Sequence, residues 1–362
     1  MGAGISASDS VGPPVGARVR LSSNESPFGP SPAAVDAAQR ALVEAHRYPD
    51  DQSITLRQAI ASREDVAFDQ VAVGTGSAAL LMDAVPHFCS AGDEVLAFAH
   101  SFIVYRLAAA NAGATYVEVE DSGPASGDAD GYGRDVDALL AAITDATRII
   151  LIDNPGNPTG THLTGEQLRA LVDGVPDHII IGIDEAYHHF ATGQRDYATV
   201  AELGLSHARL LTMRTFSKAY ALAGLRVGYV TGPAELIAPL DARRPRFNVT
   251  GSAQAAAIAS LDDTDHLTAT IEGTLASRER MAAGLRELGV PFTDGLGNFL
   301  TVECGTDAGP IVEAYGSHGV GVRGLVPYRM TEQFRATVGT AEETEAFLTA
   351  SATVLADVPS RR

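Results

Sequence analysis

Lys218 is the only lysine in a chain that carries 26 basic residues; the other 25 are arginine. Arginine stays protonated and cannot offer a free amine. Lysine can, once its pKa is lowered, and a free amine is what imine chemistry needs. Codon bias accounts for the arginines but not for the surviving lysine. Lys218 closes the run Thr215-Phe216-Ser217-Lys218, and Arg226 follows eight residues later. The planar fork of arginine suits a phosphate, although surface charge is the plainer role for an isolated arginine.

Three other clusters could carry chemistry. Gly74-Thr75-Gly76-Ser77 reads as a strand-to-helix turn, which frees backbone N–H groups at a helix N-terminus for an anion. Taken alone it is an ordinary tight turn. Asp153-Asn154-Pro155-Gly156-Asn157-Pro158-Thr159-Gly160 follows a strand. Its amides fall where open α/β sheets bind ligands, beyond a strand's carboxyl end. Asp184-Glu185-Ala186-Tyr187 ends the next strand. A carboxylate there is costly without a cation beside it, and a protonated pyridine nitrogen would be one. A helix-capping aspartate is the plainer role.

These clusters need a sheet to position them, and the pattern supplies one. Short β-rich runs alternate with helical stretches. The runs are Val71–Val73, Glu94–Phe98, Thr115–Val119, Arg148–Asp153, Ile179–Asp184, Arg209–Met213 and Val227–Thr231. The helices fall at Ala78–Phe88, Ile103–Ala112, Val136–Ile143 and Gly165–Val175. Such alternation, with apolar strands, predicts an α/β fold with a mainly parallel seven-stranded sheet covered on both faces. Ahead of it, Ser31-Pro32 opens a helix through about His46, and Ile54–Arg63 forms another.

After about Gly251 the texture changes. A long helix is expected over His266–Leu288, then strands at Phe299–Val302, Val320–Arg323 and Phe334–Val338, and a final helix at Glu342–Leu355. This predicts a smaller α+β domain over 251–362, after a large domain over 48–250. The Gly/Ser-rich stretch 1–20 reads as a flexible arm, 21–47 as a segment packing on the small domain, and Ser122–Gly133 as a surface loop.

Composition excludes several classes. A chain of 362 residues with net charge −19 and no long Lys/Arg cluster is not expected to bind nucleic acid. Its densest basic run, Arg243-Arg244-Pro245-Arg246, reads as a local anion site. No apolar run is long enough to cross a bilayer, and the N-terminus lacks the pattern of a signal peptide. Cys89 and Cys304 make neither a disulfide framework nor a metal site, so a reducing cytoplasm is expected.

The order of these motifs, each on a strand end, resembles the fold-type-I pyridoxal-phosphate enzymes. Within them the chain resembles the histidinol-phosphate aminotransferase family over about Leu21 to Leu355. The resemblance rests on Asn24-Glu25-Ser26-Pro27-Phe28-Gly29, Arg47-Tyr48-Pro49-Asp50, Asn157-Pro158-Thr159-Gly160, Asp184-Glu185-Ala186-Tyr187, the stretch Thr215 to Gly228, and Arg335 to Thr340. It implies pyridoxal 5'-phosphate held on Lys218 as a Schiff base, with Lys218 also moving the proton of the transfer. Asp184 would pair with the pyridine nitrogen, and Asn157 and Tyr187 would hydrogen-bond the ring hydroxyl. Phe102 would stack on the ring. Ser77, Thr215, Ser217 and Arg226 would hold the phosphate, with backbone at Gly76 and Ala78. Tyr48 would reach the phosphate of the partner in a homodimer with shared sites. Arg335, with Arg323 and Asn24, would bind the substrate.

The resemblance also implies the activity: transfer of an amino group between an amino acid or amine and a 2-oxo acid. The alternative is a decarboxylase or other lyase of the same fold, since a related decarboxylase shares the motifs. Regulators of this type carry a DNA-binding domain ahead of the aminotransferase-like part, which residues 1–20 are too short to form. The sequence departs from the family in four places. Ala78-Ala79 stand where Asp-Glu is usual, and His100-Ser101-Phe102 where Pro-Thr-Tyr is usual. No tyrosine precedes Tyr48, and Arg246 stands where the family tends to be apolar. An upstream tyrosine that helps bind the substrate phosphate is therefore absent. Histidinol phosphate is accordingly expected to be a poor substrate, and a carboxylate-bearing amino acid or 2-oxo acid a better one. The physiological acceptor, including one of specialised metabolism, stays open.

Overall fold

The computed structural model describes residues 17–121 and 132–356. Residues 1–16 of the expected arm and 122–131 of the expected surface loop lie outside the described residues. Helix α1 (Pro32–Leu42) starts as its sequence dictates. Ser31 accepts from the Ala33 N–H at 3.1 Å and proline occupies the first turn. It ends at Leu42, short of the expected His46. Helix α2 (Ile54–Glu64) follows.

All seven expected strands of the large sheet form: β2 (Val71–Gly74), β3 (Glu94–Phe98), β4 (Thr115–Val119), β5 (Thr147–Asp153), β6 (Ile180–Asp184), β7 (Leu210–Thr215) and β8 (Gly228–Thr231). Their order is β2-β8-β7-β6-β5-β3-β4, and β8 alone runs against its neighbours. Both faces are covered. Leu96, Ile150, Ile152 and Ile181 pack with Leu139, Leu168 and Leu171 on one side. Val95, Ile149 and Leu151 pack with Leu80, Leu81 and Tyr105 on the other. Full burial of such a side chain stabilises by roughly 1.5–3 kcal/mol.

Parallel register has a chemical consequence. Asp153 and Asp184 are direct partners across β5 and β6. In-register neighbours share a face of the sheet. Two carboxylates thus lie side by side at adjacent strand ends. Behind them Arg214 on β7 ties three elements together. Its guanidinium bonds Glu185 Oε2 at 2.8 and 2.9 Å and Glu64 Oε2 at 2.5 Å. All three groups are at least nine-tenths buried, and such an array costs several kcal/mol if one partner is lost, roughly 3–5.

The second sheet is antiparallel, in the order β12 (Arg323–Leu325), β13 (Met330–Thr337), β10 (Phe299–Glu303), β9 (Phe292–Thr293). The expected strand Val320–Arg323 is two strands. Val320–Gly321 (β11) pairs in parallel with Val19–Arg20 (β1), and the chain then crosses into the four-stranded sheet. β12 pairs with β13 so that Arg323 stands opposite Arg335. Helix α9 (Gly251–Asp262), not anticipated from the sequence, buries Ala253, Ala256 and Ala257 in one core with Val71, Phe216 and Tyr229. The long helix α10 (Thr264–Glu287) and the last, α12 (Ala341–Val354), form near their expected bounds. No helix among the described residues is long and apolar enough to cross a membrane.

Candidate active site

A cavity of about 350 Å³ opens at the carboxyl ends of β5, β6 and β7, against the second sheet. Asp184 and Tyr187 line it, as do Lys218, Thr215 and Ser217 from the end of β7 and the turn beyond. Ser77, Ala78 and Arg226 form one end. Phe102, Asn157, Asn24, Arg323 and Arg335 line it as well.

The turn before α3 (Ser77–Phe88) has no side-chain cap, which leaves the N–H groups of Ser77 and Ala78 for another acceptor, while the Ala79 N–H bonds the Gly76 carbonyl at 3.2 Å. Gly76 has φ +94°, and a Cβ there would lie 2.6 Å from Arg226 Nη2. Only glycine lets the guanidinium lie over this turn. Arg226 donates to Ser217 Oγ at 3.3 Å and to the Thr75 and Ala223 carbonyls at 3.4 and 3.0 Å. Gly76 itself does not line the cavity but shapes the turn that does.

Lys218 Nζ donates to the Asn24 carbonyl at 3.0 Å and the Ser23 carbonyl at 3.4 Å. It lies 5.5 Å from the centre of the Tyr187 ring. Burial, then the charge of Arg335, lowers its pKa to about 7. Half or so of the amine is then neutral near pH 7, which the reading of Lys218 as a nucleophile requires. Tyr187 Oη accepts from Asn24 Nδ2 at 2.9 Å. Asn24, at φ +53°, is pinned by Thr337 Oγ1, which accepts from its N–H at 2.9 Å.

Arg335 is 6% exposed. It donates to Asn157 Oδ1 and to the Ser22 carbonyl, and its buried Nε has no partner among the described residues. Asp184 is 3% exposed, with Oδ1 accepting from the Ala186 N–H at 3.1 Å. Burial, then the charge of Asp153, raises its carboxyl to about 7.

The cations decide what the cavity can hold. Among the described residues, Lys218, Arg226, Arg323 and Arg335 have no carboxylate within 4 Å, although 18 arginine–carboxylate pairs occur elsewhere. Three arginines with no carboxylate partner, beside a lysine amine, suit the cavity to an anionic ligand in a chain with net charge −19.

Residues 18–350 match the family described as aminotransferase class I and II. The chain belongs to that family. It is 41% identical over 331 residues to an aromatic amino acid aminotransferase of Corynebacterium glutamicum, spanning 91% of this chain and 92% of the relative. It is 38% identical to histidinol-phosphate aminotransferase 2 of Methylococcus capsulatus, spanning 93% and 90%. Among solved structures it is similar to histidinol-phosphate aminotransferase from Sinorhizobium meliloti in complex with pyridoxal-5'-phosphate. There the TM-score is 0.86 with 28% identity, covering 95% of this chain and 92% of that one. The protein is an aminotransferase with the fold-type-I architecture, and the family supports this reading rather than the decarboxylase alternative.

Tyr48 and the expected anion-binding run stand apart from this aminotransferase cavity. Tyr48 is 84% exposed and stacks on Phe247 at 4.6 Å. The run Arg243–Arg246 is not a free anion site. Arg246 bonds Asp51 at 2.6 Å, and Arg244 bonds Asp241 at 2.8 Å and Asp51 at 3.4 Å. Carboxylates elsewhere in the chain satisfy Arg244 and Arg246, which a reading of the local run does not reveal. Tyr328 and Asp153 line the cavity without having been assigned a role. Asp153 was visible as the strand end beside Asp184; no local pattern marks Tyr328.

The raised carboxyl of Asp184 has a consequence for stability. Its ordinary value is 3.8 and its folded value about 7. The folded state therefore binds the proton more tightly, and this contribution is full below the ordinary value and lost as pH rises through about 7. Ligand-free Asp184→Asn should lack that loss. Its melting temperature should exceed that of the unaltered protein at pH 8 by more than at pH 4. Parallel melting curves against pH would show that Asp184 is not the strained acid described here.

Proposed function

We propose that the protein is a pyridoxal-phosphate-dependent aminotransferase acting on aromatic amino acids and a 2-oxo acid acceptor. The observation that carries this reading is the spacing of its uncompensated cations. Arg226 lies over the helix N-terminus, Lys218 stands between, and Arg323 and Arg335 come from the other sheet. A cofactor phosphate would satisfy the first, and a substrate carboxylate the last. The residues present fit the cofactor. The uncapped turn at Gly76-Ser77-Ala78, with Ser217, Thr215 and Arg226, would hold its phosphate. Phe102 would cover the ring, and Asn157 and Tyr187 would bond its hydroxyl.

When bound, the cofactor supplies an electron sink for a carbanion beside nitrogen. This chain's residues do the rest. Lys218 Nζ would hold the cofactor covalently and then carry a proton, which a pKa near 7 suits. Asp184 would keep the ring nitrogen protonated; a cation beside this acid would also relieve the strain of its burial. Arg335 would bind the substrate carboxylate in a two-pronged pair. Asn157 Oδ1 and the Ser22 carbonyl already orient its guanidinium. Phe102, Ile103 and Tyr328 give the cavity apolar and aromatic walls, which suit a planar side chain. The relative from Corynebacterium, named for aromatic amino acids, supports the same class.

A homodimer with shared sites belongs to this proposal. Tyr48 and its neighbours Leu42, Val43 and Ile54 leave apolar surface exposed, which suits a contact between copies. Tyr48 would then reach the cofactor phosphate of the partner subunit.

Borohydride treatment of the purified protein should fix the cofactor on Lys218, and Lys218→Ala should carry no covalent cofactor; a label on no residue would remove the central role of this lysine. Histidinol phosphate has no carboxylate for Arg335. Losing one hydrogen bond to a charged group costs roughly 1.5–3 kcal/mol, or about tenfold or more in rate. Phenylalanine and tyrosine should therefore exceed histidinol phosphate in kcat/KM by about tenfold or more, and the reverse ranking would refute the substrate assignment. Mixing Lys218→Ala with Tyr48→Phe should regain activity that neither has alone, because one site of each hybrid dimer is intact. No gain on mixing, or a monomer in sedimentation at assay concentration, would rule out shared sites.

A further inference from the structure

Arg134 lies far from the motifs that define the site, yet it is the partner of a site residue. Asp135 caps helix α5 (Val136–Ala141) by accepting from the Ala138 N–H at 3.0 Å, which fixes the backbone just after Arg134. The guanidinium of Arg134 is 2% exposed and bonds Asp153 Oδ1 at 2.7 Å. It also donates to the Asp153 carbonyl and lies 5.4 Å from the Phe98 ring. Room for it comes from Gly156. A Cβ at that position would come within 2.3 Å of Arg134 Nη2, so any larger residue would displace the guanidinium.

Asp153 is equally buried, at 4% exposure, and its second oxygen has a different task. Oδ2 accepts the N–H of Asn157 at 2.8 Å and the N–H of Phe102 at 3.1 Å. Phe102 and Asn157 belong to two separate loops, after β3 and after β5. One carboxylate oxygen therefore holds the main chains of two cavity residues. Asp153 is also the register partner of Asp184, and two unpaired carboxylates cannot sit side by side in a dry site without one taking up a proton. Arg134 gives Asp153 the cation that Asp184 lacks.

We propose that Arg134 and Asp153 are a positioning pair for the transamination site: Arg134 neutralises Asp153, and Asp153 clamps Phe102 and Asn157 in place. The proposal rests on the cofactor reading only for what Phe102 and Asn157 contact. The clamp itself is a property of the chain.

The test compares the unaltered protein, Arg134→Met, and the double variant Arg134→Met/Asp153→Asn. Two quantities are measured: the dissociation constant for pyridoxal phosphate, and amide hydrogen exchange at Phe102 and Asn157 in the cofactor-free full chain. Arg134→Met leaves a buried carboxylate without its cation. It should weaken cofactor binding and quicken both amides by about tenfold or more. In the double variant the asparagine still offers a carbonyl oxygen to the two N–H groups and needs no cation, so most of both losses should be recovered. A purely space-filling role would make the double variant worse than the single.

Arg134→Met with both quantities within about twofold of the unaltered protein overturns the proposal, as does a double variant no better than the single. If Arg134→Met does not fold, the double variant decides: a folded double with slow amides supports the pair, and an unfolded one overturns it. If the unaltered protein binds no pyridoxal phosphate, the cofactor reading fails, while exchange at the two amides still judges the clamp.

Discussion

Burying charge without its opposite is the constraint on which this site depends. Water stabilises a carboxylate or a guanidinium by far more than most protein contacts return. The chain nonetheless places Asp184 and Arg335 almost wholly out of solvent, with no ion pair to either among the described residues. Pairing Arg335 with Asp184 directly would remove that strain. The two sheets prevent it. Asp184 ends a strand of the large sheet, and Arg335 stands on β13 of the small one, held by Asn157 and the Ser22 carbonyl. A ligand with a cationic ring and two anionic groups would relieve charges that the protein leaves apart.

Local rules are broken in the same places. Arg323 and Arg335 are directly opposite on antiparallel strands, an arrangement that ordinarily destabilises a sheet. Asp153 and Asp184 are opposite on parallel ones. The first pair is left uncompensated and faces the cavity; the second is half compensated, through Arg134. Away from the cavity the same fold follows the rules. Arg214 meets Glu185 and Glu64, and Arg57 meets Asp241 at 3.1 Å. Among the described residues, Arg335 is the one buried arginine with no carboxylate within 4 Å.

Much of this was legible in the sequence because it is local. A strand such as Glu94–Phe98 or Ile180–Asp184 is a run of apolar residues bounded by turns, and its sheet follows from the alternation with helices. Asp184, Asn157 and Lys218 were legible because each follows such a run, at the end where these sheets bind ligands. What escaped was non-local. Arg134 is one arginine among 25, and its meaning lies in Asp153, 19 residues on, and in the absent side chain of Gly156. Tyr328 reaches the cavity through a short helical turn between β12 and β13. Helix α9 is rich in alanine and has no strongly apolar stripe to announce it. The split of Val320–Arg323 between two sheets depends on pairing with Val19–Arg20, some 300 residues earlier in the chain. Sequence spacing carries none of that.

The same surroundings act differently on lysine and arginine, and that difference divides the labour of the site. Burial lowers the pKa of both Lys218 and Arg335. Lysine starts from 10.5 and reaches about 7, so the amine exchanges its proton near neutrality. Arginine starts so much higher that it stays charged in any folded protein. One dry cavity thus yields a reactive amine and a permanent cation from the same desolvation. An arginine at 218 would be a fixed charge with no nucleophile, and a lysine at 335 would lose both its charge and its planar fork. In a chain whose other 25 Lys/Arg positions are arginine, the one lysine is the buried amine whose pKa falls to about 7.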